Sequence, residues 1–502
     1  MVISTTPRRR GIGAISGTAA VALSFGVSEL LSGLLGAPSL IQGVADRVVD
    51  SVPAGVKDWA IEAFGTNDKL VLITVIVVVG LGLGALVGVL ARRRIEPAAL
   101  AFAVFGILAA LATSASPAAG SVAPWLVAIV SVSAGLIAFR WMQPPAASAV
   151  QPDQARRGFL QATSIGGLAL LTAGIGRLIF SAGRAAASQQ GDVSLPTTPR
   201  PTIPTAASFD DLAGITPVVV PNEDFYRIDT AIVVPRVDLA DWTLSFTGMV
   251  DRPHTMTFDE VMELPMVERY ITLSCVSNPV GGPLVGNARW LGVPLSDLLE
   301  RTGVQAGAEQ LVARSVDGFT VGFPIEAALD GREALLAVGM NGLALPIEHG
   351  FPARLVVSGL YGYVSATKWL SEIELTTWDG FDAYWVPRGW SKEAPIKTQS
   401  RIDTPVGRMD SGERFIAGVA WAPHRGISKV EVQIDNGEWT EAELSEPLSG
   451  DAWRQWRLSY DFVTGSHRIR VRATDGTGIT QGEAPVPPAP NGAEGWHTVS
   501  VT

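Results

Sequence analysis

The chain has 502 residues and a formal net charge of −10, and 47% of its residues are hydrophobic against 17% charged. Its length predicts several domains, and its apolar composition predicts that part of it lies in a bilayer. The acidic balance argues against nucleic-acid binding, which requires a basic surface.

The first third of the chain contains apolar runs that are each about long enough to cross a bilayer of roughly 30 Å. They lie at 14–35, 70–91, 98–115, 122–139 and 159–180. Arginine clusters stand before the first run, after the second, and between the fourth and fifth. If these clusters are cytoplasmic, as the positive-inside rule requires, the number of crossings is odd. The sequence therefore predicts a five-span helical anchor over residues 1–186, with everything after about residue 181 on the extracytoplasmic side.

The content of these runs predicts an anchor and packing platform. They contain no histidine and no methionine and almost no ionisable residue, whereas haem ligation and ion relays need such side chains. Gly80, Gly84 and Gly88 recur every four residues in the second run, which predicts close helix packing and not a dinucleotide-binding loop. Between the first two runs, residues 44–64 show the spacing of short amphipathic helices on the outer membrane surface.

Arg156 and Arg157 stand directly before the fifth run and are followed by Gly158-Phe159-Leu160. This pattern resembles a twin-arginine export signal, here internal and without a clear small-residue cleavage site. The alternative is a positive-inside flank that happens to contain two arginines. Because the twin-arginine route exports folded domains, the motif would suit a protein whose cofactor is inserted in the cytoplasm.

Residues 187–207 are rich in Pro, Thr, Ser and Gln, which predicts a linker. Short strands and short helices without a βαβ repeat then predict an α+β domain over 208–396. Strands are expected at 241–249, 270–274, 311–316, 319–324 and 335–340; short helices are expected at 256–264, at 290–302 after an initial turn, and at 325–329. From about Arg401, short alternating strands separated by turns predict an immunoglobulin-like sandwich over 397–502.

The only cysteine, Cys275, follows an apolar strand and precedes a Ser-Asn turn. A lone thiol excludes an internal disulfide and a four-cysteine zinc or iron–sulfur site. By position alone it is a packing residue, a nucleophile, or a soft ligand for a metal held mainly by other groups. Since the sequence also lacks a Cys-x-x-Cys-His haem attachment, it predicts no haem and no iron–sulfur cluster.

An ordered set of short motifs runs from about Asn222 to Trp390. They are Phe225-Tyr226-Arg227, Leu273-Ser274-Cys275, Ala288-Arg289-Trp290-Leu291-Gly292-Val293-Pro294-Leu295, Met340-Asn341-Gly342, Pro346, His349-Gly350-Phe351-Pro352-Ala353-Arg354 and Lys368-Trp369-Leu370. In order and spacing this set resembles the molybdopterin domain of the sulfite oxidase family, in a membrane-anchored bacterial form. The resemblance implies a molybdenum–molybdopterin cofactor, oxygen-atom transfer on a small sulfur-containing substrate, and a separate electron partner that is a cytochrome or quinone-linked.

The same resemblance assigns roles to individual residues. Cys275 would be the sole protein ligand of molybdenum, with Tyr226 and Arg227 as catalytic residues beside it. The implied cofactor-binding set is Asn222, Tyr226, Arg227, Cys275, Asp317, His349, Arg354, Ser365, Thr367 and Lys368. Arg354 offers a fork of donors suited to phosphate and His349 a directional ring nitrogen. Ordinary alternatives remain open: a surface arginine for Arg227, a core histidine for His349, and a turn aspartate for Asp317.

The chain departs from animal and plant sulfite oxidases just after Cys275. Those enzymes have an asparagine followed by arginines that help hold sulfite, whereas here Asn278 is followed by Pro279-Val280-Gly281-Gly282. The cofactor is implied as before, but the substrate is left open between sulfite and a neutral molecule such as a sulfoxide undergoing reduction. A non-catalytic receptor or assembly protein on the same fold is the alternative from another functional class.

Segments of the C-terminal region resemble the dimerisation domain of the same family. They are Gly418-Val419-Ala420-Trp421-Ala422, Asp435-Asn436-Gly437-Glu438-Trp439 and Gly495-Trp496-His497. The resemblance allows a homodimer as a further partner.

Overall fold

The computed structural model describes residues 7–35, 37–52, 56, 59, 63–64, 68–91, 95–114, 122–143, 152–187, 191, 193–201, 203–204, 206–231 and 234–502. The chain divides into two compact units. One comprises Met1–Ala187 with Ala231–Val233, and the other comprises Ser188–Thr230 with Val234–Thr502. The finer boundaries drawn from the sequence, at 186, 207 and 396, stay predictions.

The N-terminal unit is helical in its described residues. Its helices are α1 (Pro7–Leu35), α2 (Leu40–Ser51), α3 (Asp68–Leu90), α4 (Glu96–Ser114), α5 (Ala123–Met142) and α6 (Pro152–Ala187). All but α2 contain a segment long and apolar enough to cross a membrane: Gly11–Leu35, Lys69–Leu90, Glu96–Ser114, Ala123–Met142 and Leu160–Ile179. These segments confirm the five apolar helices that the sequence predicts.

The short helix α2 lies where amphipathic helices are predicted between the first two spans. It begins with a capping box in which the Ser39 and Gln42 side chains each bond the other residue's backbone N–H. Most of the remaining predicted helical stretch, from residue 53 to 67, lies outside the described residues.

Glycines bring α1 and α3 into backbone contact. A Cβ placed on Gly17 would lie 1.9 Å from the carbonyl oxygen of Gly84, and one on Gly88 would lie 2.0 Å from that of Gly13. No side chain fits at such distances, so small residues are what allow the two backbones to pack. The predicted role of the four-residue glycine spacing is therefore confirmed.

Helices α1 and α6 run parallel. Gly26 faces Ala169 and Gly33 faces Gly176, so contacts advance by seven residues along both helices. An ion pair adds to this seam, with Arg177 Nε 3.8 Å from the Glu29 carboxylate. Parallel first and fifth spans agree with the odd number of crossings that the arginine clusters predict. The Arg156-Arg157 pair lies within α6, but these side chains are outside the described residues, so the export signal stays a prediction.

The second unit begins with two five-stranded sheets. Its first ten strands are β1 (Thr243–Gly248), β2 (His254–Thr257), β3 (Val267–Ser274), β4 (Val285–Pro294), β5 (Gln310–Ser315), β6 (Thr320–Pro324), β7 (Ala334–Met340), β8 (Leu343–Ala344), β9 (Arg354–Val357) and β10 (Leu370–Thr376). One sheet has the order β2-β1-β10-β5-β6, and the other has β3-β4-β7-β8 with β9 also on β7. The helices are α7 (Phe258–Met262), α8 (Leu295–Thr302) and α9 (Gly362–Ser365).

One sequence prediction in this region is wrong. The stretch 290–302 is expected to start with a turn, but Trp290 lies inside β4 and the helix begins only at Leu295. Trp290 is fully buried and its Nε1 donates to the carbonyl oxygen of Ile271 at 3.1 Å. Since β4 is covered on both faces, it lacks the alternation that reveals a half-exposed strand. The helix predicted at 325–329 is a 3-10 turn over Ile325–Ala328.

The C-terminal part is a sandwich of two four-stranded sheets. Its strands are β11 (Gln399–Thr404), β12 (Gly412–Trp421), β13 (Ile427–Ile434), β14 (Trp439–Glu441), β15 (Glu443–Leu444), β16 (Arg454–Phe462), β17 (His467–Asp475) and β18 (His497–Val501). The sheets have the orders β11-β12-β16-β15 and β14-β13-β17-β18. Buried residues from both, such as Ile416, Trp456 and Val471, form a common core.

The segment before β16 covers the outer edge of β3. The Thr272 backbone N–H donates to the Asp451 carbonyl at 3.0 Å, and the Trp453 N–H donates to Thr272 Oγ1 at 2.8 Å. The Trp453 indole also donates to the carbonyl of Val218 at 2.8 Å. These bonds satisfy the free edge that β3 would otherwise expose, and they fix the strand that leads to Cys275.

We expect Gly88→Ile to destabilise the helical unit by about 1–3 kcal/mol or more, because overpacking forces the α1 and α3 backbones apart. Unfolding of the full chain in detergent micelles measures this. Gly82→Ile is the matched control, since Gly82 lies on the same helix with nothing within 4 Å of its Cβ position. Equal stability of the two variants would contradict the glycine seam.

Candidate active site

Cys275 lies directly after β3 and is 9% exposed. Its backbone N–H donates to the Leu284 carbonyl at 2.9 Å, and its Sγ lies 3.0 Å from Ser277 Oγ. Burial raises the pKa of the thiol, while the Ser277 hydrogen bonds and the charge of Lys368 act in the opposite direction. The sulfur is therefore protonated at neutral pH unless a further positive charge, such as a metal ion, favours the thiolate.

Tyr226 shares the electrostatic environment of Cys275. Burial raises the pKa of the Tyr226 phenol, negative charge at Cys275 raises it further, and the Arg354 guanidinium lowers it. The phenol thus stays protonated across the neutral range and can donate a hydrogen bond. Phe225 stacks on its ring with a centroid separation of 5.3 Å, which fixes the side chain in the site.

Arg227 and Lys368 meet at one carboxylate. Arg227 Nε lies 2.9 Å and Lys368 Nζ 3.3 Å from Asp229 Oδ2. Lys368 also donates to the Glu348 carbonyl at 2.9 Å. Burial lowers the pKa of Lys368 to about 8, against the opposing effect of Asp229. Sequence reasoning missed Asp229, and only its position two residues after Arg227 could have drawn attention to it.

His349 ends a 3-10 turn and is followed by Gly350, whose φ of +112° suits glycine. Burial, together with the charge of Arg354, lowers the pKa of His349 to about 4, so the ring is neutral. Its Nε2 lies 3.0 Å from the Asn222 carbonyl oxygen and must carry the proton that it donates there. Nδ1 is left as an acceptor.

Arg354, at the start of β9, is 4% exposed. Its Nη1 donates to the His349 carbonyl at 3.0 Å, and its guanidinium carbon lies 5.1 Å from the centre of the Trp290 ring. Burial lowers the pKa of Arg354 to about 10, which still leaves it charged at neutral pH. The structure thus brings a second buried cation to the site.

Asn222 links His349 to Asn341. Its carbonyl accepts from His349, and its side-chain Oδ1 accepts from Asn341 Nδ2 at 2.8 Å. Asn341 adopts a φ of +54° and also donates to the Val220 carbonyl at 2.9 Å. The predicted residue lies in the site, and its observed contacts position His349.

The remaining predicted residues differ in what their side chains do. Ser365 Oγ donates to the Leu360 and Tyr361 carbonyls, within its own helical turn. Asp317 Oδ1 accepts from the Phe319 N–H at 3.0 Å, which is the turn role that the sequence left open. Thr367 differs from both, because its Oγ1 is buried and has no hydrogen-bond partner among the described residues.

These groups fit a polyanion that brings a soft metal. Arg227, Arg354 and Lys368 outnumber the carboxylate of Asp229, and an unsatisfied buried hydroxyl is costly without a ligand. In the described part of the chain no three His, Cys, Asp or Glu side chains converge on one point. A metal at the Cys275 sulfur would therefore take most of its ligands from a cofactor.

Cys275, His349, Arg354 and Lys368 lie in a stretch that matches a known family of domains. The model of the oxidoreductase molybdopterin binding domain matches residues 231–385. Mitochondrial sulfite oxidase from Rattus norvegicus is 28% identical over 289 residues, which are 48% of this chain and 52% of that protein. Residues 231–385 match a molybdopterin-binding domain. This match and the similarity to sulfite oxidase support a molybdenum cofactor.

A nitrate reductase is also among the curated relatives. The NADH nitrate reductase of Solanum lycopersicum is 27% identical over 317 residues, which are 50% of this chain and 35% of that protein. The chain thus spans between about a third and half of these curated relatives. The crystal structure of sulfane dehydrogenase SoxCD from Paracoccus pantotrophus matches with a TM-score of 0.50 and 24% identity, over 61% of this chain and 88% of that one, which shows a shared fold.

We expect anion binding by the cofactor-free protein to weaken as pH rises through about 8. Binding an anion favours protonated Lys368 and so takes up a proton, whereas above its pKa the lysine is neutral. Titration with inorganic phosphate, followed by calorimetry below and above this pH, measures the effect in protein from a host that cannot make the cofactor.

Two variants control the phosphate titration. Lys368→Arg should remove the pH dependence, because arginine stays charged. Asp229→Asn should move the midpoint to lower pH, because Asp229 raises the pKa of Lys368. A pH profile that is identical in the wild type and both variants would contradict the assignment to Lys368.

Proposed function

We propose that the chain is a membrane-anchored molybdenum oxidoreductase that moves an oxygen atom to or from a small, sulfur-containing substrate. The observation that carries the proposal is the buried thiol of Cys275, placed at a strand end beside Tyr226 and among Arg354 and Lys368. When bound, the cofactor supplies two dithiolene sulfurs and a metal that cycles between oxidation states.

In this proposal Cys275 is the only protein ligand of the metal. The same burial that keeps the thiol protonated excludes water from the sulfur, so the thiolate forms only when a metal is present to stabilise it. Soft thiolate is matched to a metal whose other ligands are also sulfur. A merely packing cysteine would not need neighbouring cations.

The pterin and its phosphate would be held by the buried polar groups. Arg354 and Lys368 supply charge, neutral His349 supplies an acceptor at Nδ1, and Thr367 Oγ1 supplies a hydroxyl that needs a partner. Asn222 contributes through the carbonyl that orients His349. Ser365 and Asp317 would act indirectly, by shaping the loops that carry the site.

Tyr226 and Arg227 would act at the reacting end. The Tyr226 phenol remains protonated, so it can donate a hydrogen bond to an oxygen on which negative charge develops. Arg227 is 42% exposed and is held by Asp229, which places a guanidinium at the solvent side of the site. Such donors stabilise charge during oxygen transfer without reorganising.

The choice between sulfite oxidation and sulfoxide reduction rests on charge. The residues after Asn278 provide no cation, and the Arg227 guanidinium is already paired with Asp229. A doubly charged sulfite anion would meet less positive charge here than the arginines of animal and plant sulfite oxidases would supply. This observation favours a neutral sulfoxide as a second candidate substrate.

The apolar helices support a multi-pass membrane location, with the active unit on the extracytoplasmic side as the arginine distribution predicts. Electrons would pass to or from a separate partner, a cytochrome or a quinone-linked protein. The two-sheet C-terminal part would be an immunoglobulin-like domain that can support a homodimer, as the family resemblance implies. Twin-arginine export after cofactor insertion belongs to the same proposal.

Cys275→Ser is expected to abolish turnover and to lower the molybdenum content, since a hydroxyl is a hard and poorly ionised ligand in a buried site. The measurement is molybdenum per chain by elemental analysis, with thermal unfolding to show that the fold persists. Ser277→Ala is the matched control, because it removes the hydrogen bond to Sγ but keeps the ligand. Full molybdenum and activity in Cys275→Ser would rule out the ligand role.

Two assays on the purified full chain determine the direction of the reaction. Sulfite is offered with an artificial electron acceptor, and methionine sulfoxide is offered with a reduced viologen donor. We expect turnover in at least one, with sulfoxide preferred on the charge argument. A fully loaded protein that oxidises sulfite and ignores the sulfoxide would overturn that preference.

A further inference from the structure

The loop at 276–284, directly after Cys275, is closed on itself. Asn278 Oδ1 accepts from the Leu284 N–H at 2.9 Å, and the Leu284 carbonyl accepts from the Cys275 N–H at 2.9 Å. The Asn278 N–H in turn donates to the Cys275 carbonyl at 3.2 Å. Because both ends are bonded through one asparagine, a shift of the outer part of the loop reaches the backbone of Cys275.

A guanidinium from the C-terminal sandwich holds the outer part of this loop. Arg401, in β11, donates Nη1 to the Gly282 carbonyl at 3.0 Å and Nη2 to Thr216 Oγ1 at 2.7 Å. Its Nε donates to Asp403 Oδ1 at 2.6 Å, and the side chain is nearly buried. The Asp403 carboxylate offsets the charge of Arg401. The guanidinium therefore acts through its three directed hydrogen bonds, which fix the position of the loop.

His497, in β18 of the other sheet of the sandwich, packs against the same loop. Gly281 has a φ of +76°, and a Cβ placed on it would lie 2.1 Å from Cδ2 of the His497 ring. His497 Nδ1 accepts from the Ile402 N–H at 2.9 Å, which fixes the ring over the glycine. Both the backbone conformation and the ring therefore require glycine at 281.

We propose that Arg401 and His497 are positioning residues that clamp the loop at 281–282 and thereby set the geometry at Cys275 and the substrate side of the site. The inference rests on the proposed function, because it assumes that Cys275 holds the metal. Animal and plant sulfite oxidases have arginine side chains after the cysteine. This chain instead has an uncharged loop, which Arg401 and His497 hold in place. Substrate choice then depends on the position of that loop and not on a charge within it.

The test compares Arg401→Lys, His497→Ala and Gly281→Ala with the wild-type full chain. Molybdenum per chain should stay near the wild-type value, since none of these side chains contacts the groups assigned to the pterin. The Mo(V) electron paramagnetic resonance spectrum should shift, because the backbone of the ligand cysteine moves. Turnover of sulfite or methionine sulfoxide should fall by roughly 10- to 100-fold in kcat/KM, with a raised KM, since a misplacement of about 1 Å can cost on the order of 100-fold.

Matched controls lie in the same sandwich. Arg454 donates to the Ser445 and Ile427 carbonyls, and His467 bonds Asp435 and the Val463 carbonyl, all within the sandwich. Arg454→Lys and His467→Ala should lower thermal stability while leaving the Mo(V) spectrum and KM unchanged. This contrast separates positioning from a purely structural effect.

The outcomes are distinguishable. Loaded clamp variants with wild-type spectra and KM, or control variants with the same shifts, would overturn the positioning role and leave the proposed function standing. If one clamp variant fails to fold, the other two decide through the same spectrum. A wild-type chain without molybdenum would overturn the proposed function and this inference with it.

Discussion

Positive charge around Cys275 exceeds the negative charge that the protein itself supplies there. Arg354 and Lys368 are buried and Arg227 is exposed, and the Asp229 carboxylate pairs with Arg227 and Lys368. Burying cations without full compensation costs stability, so the site favours binding an anion and gains stability when it does. The neutral state of His349 and the protonated state of Tyr226 follow from the same burial. Each of these groups is set up for a charged ligand brought from outside the chain.

Local sequence patterns were enough to predict much of the architecture. The spans follow from apolar length, the glycine seam from a four-residue spacing, and the position of Cys275 from an apolar strand followed by turn residues. Sequence pattern failed to predict a strand where burial on both faces removed the alternation of apolar and polar residues, as at Trp290 in β4. It also missed the short strands β8 and β9, which are too brief for a period to show.

The resemblance to a known family brought together residues that no period links. Cys275 is far in sequence from His349, Arg354 and Lys368, yet the fold brings it under the influence of the Lys368 charge. A matching motif says which residue is near the site but not which atom it offers, so Ser365 and Asp317 turned out to bond their own turns. Sequence reasoning missed Asp229 because it belongs to none of the family motifs and acts only through contacts made in the folded chain.

The edge of β3 is completed by residues that the ribosome adds much later. Thr272 bonds Trp453 across a sequence separation of 181 residues. At the rates of protein synthesis, this separation corresponds to roughly 10–40 s between the emergence of the two partners. During that interval the edge of the strand that leads to Cys275 lacks these hydrogen bonds. The strand that leads to Cys275 therefore gains its full set of edge hydrogen bonds only after residues 451–453 have left the ribosome, so this part of the fold is among the last to be completed.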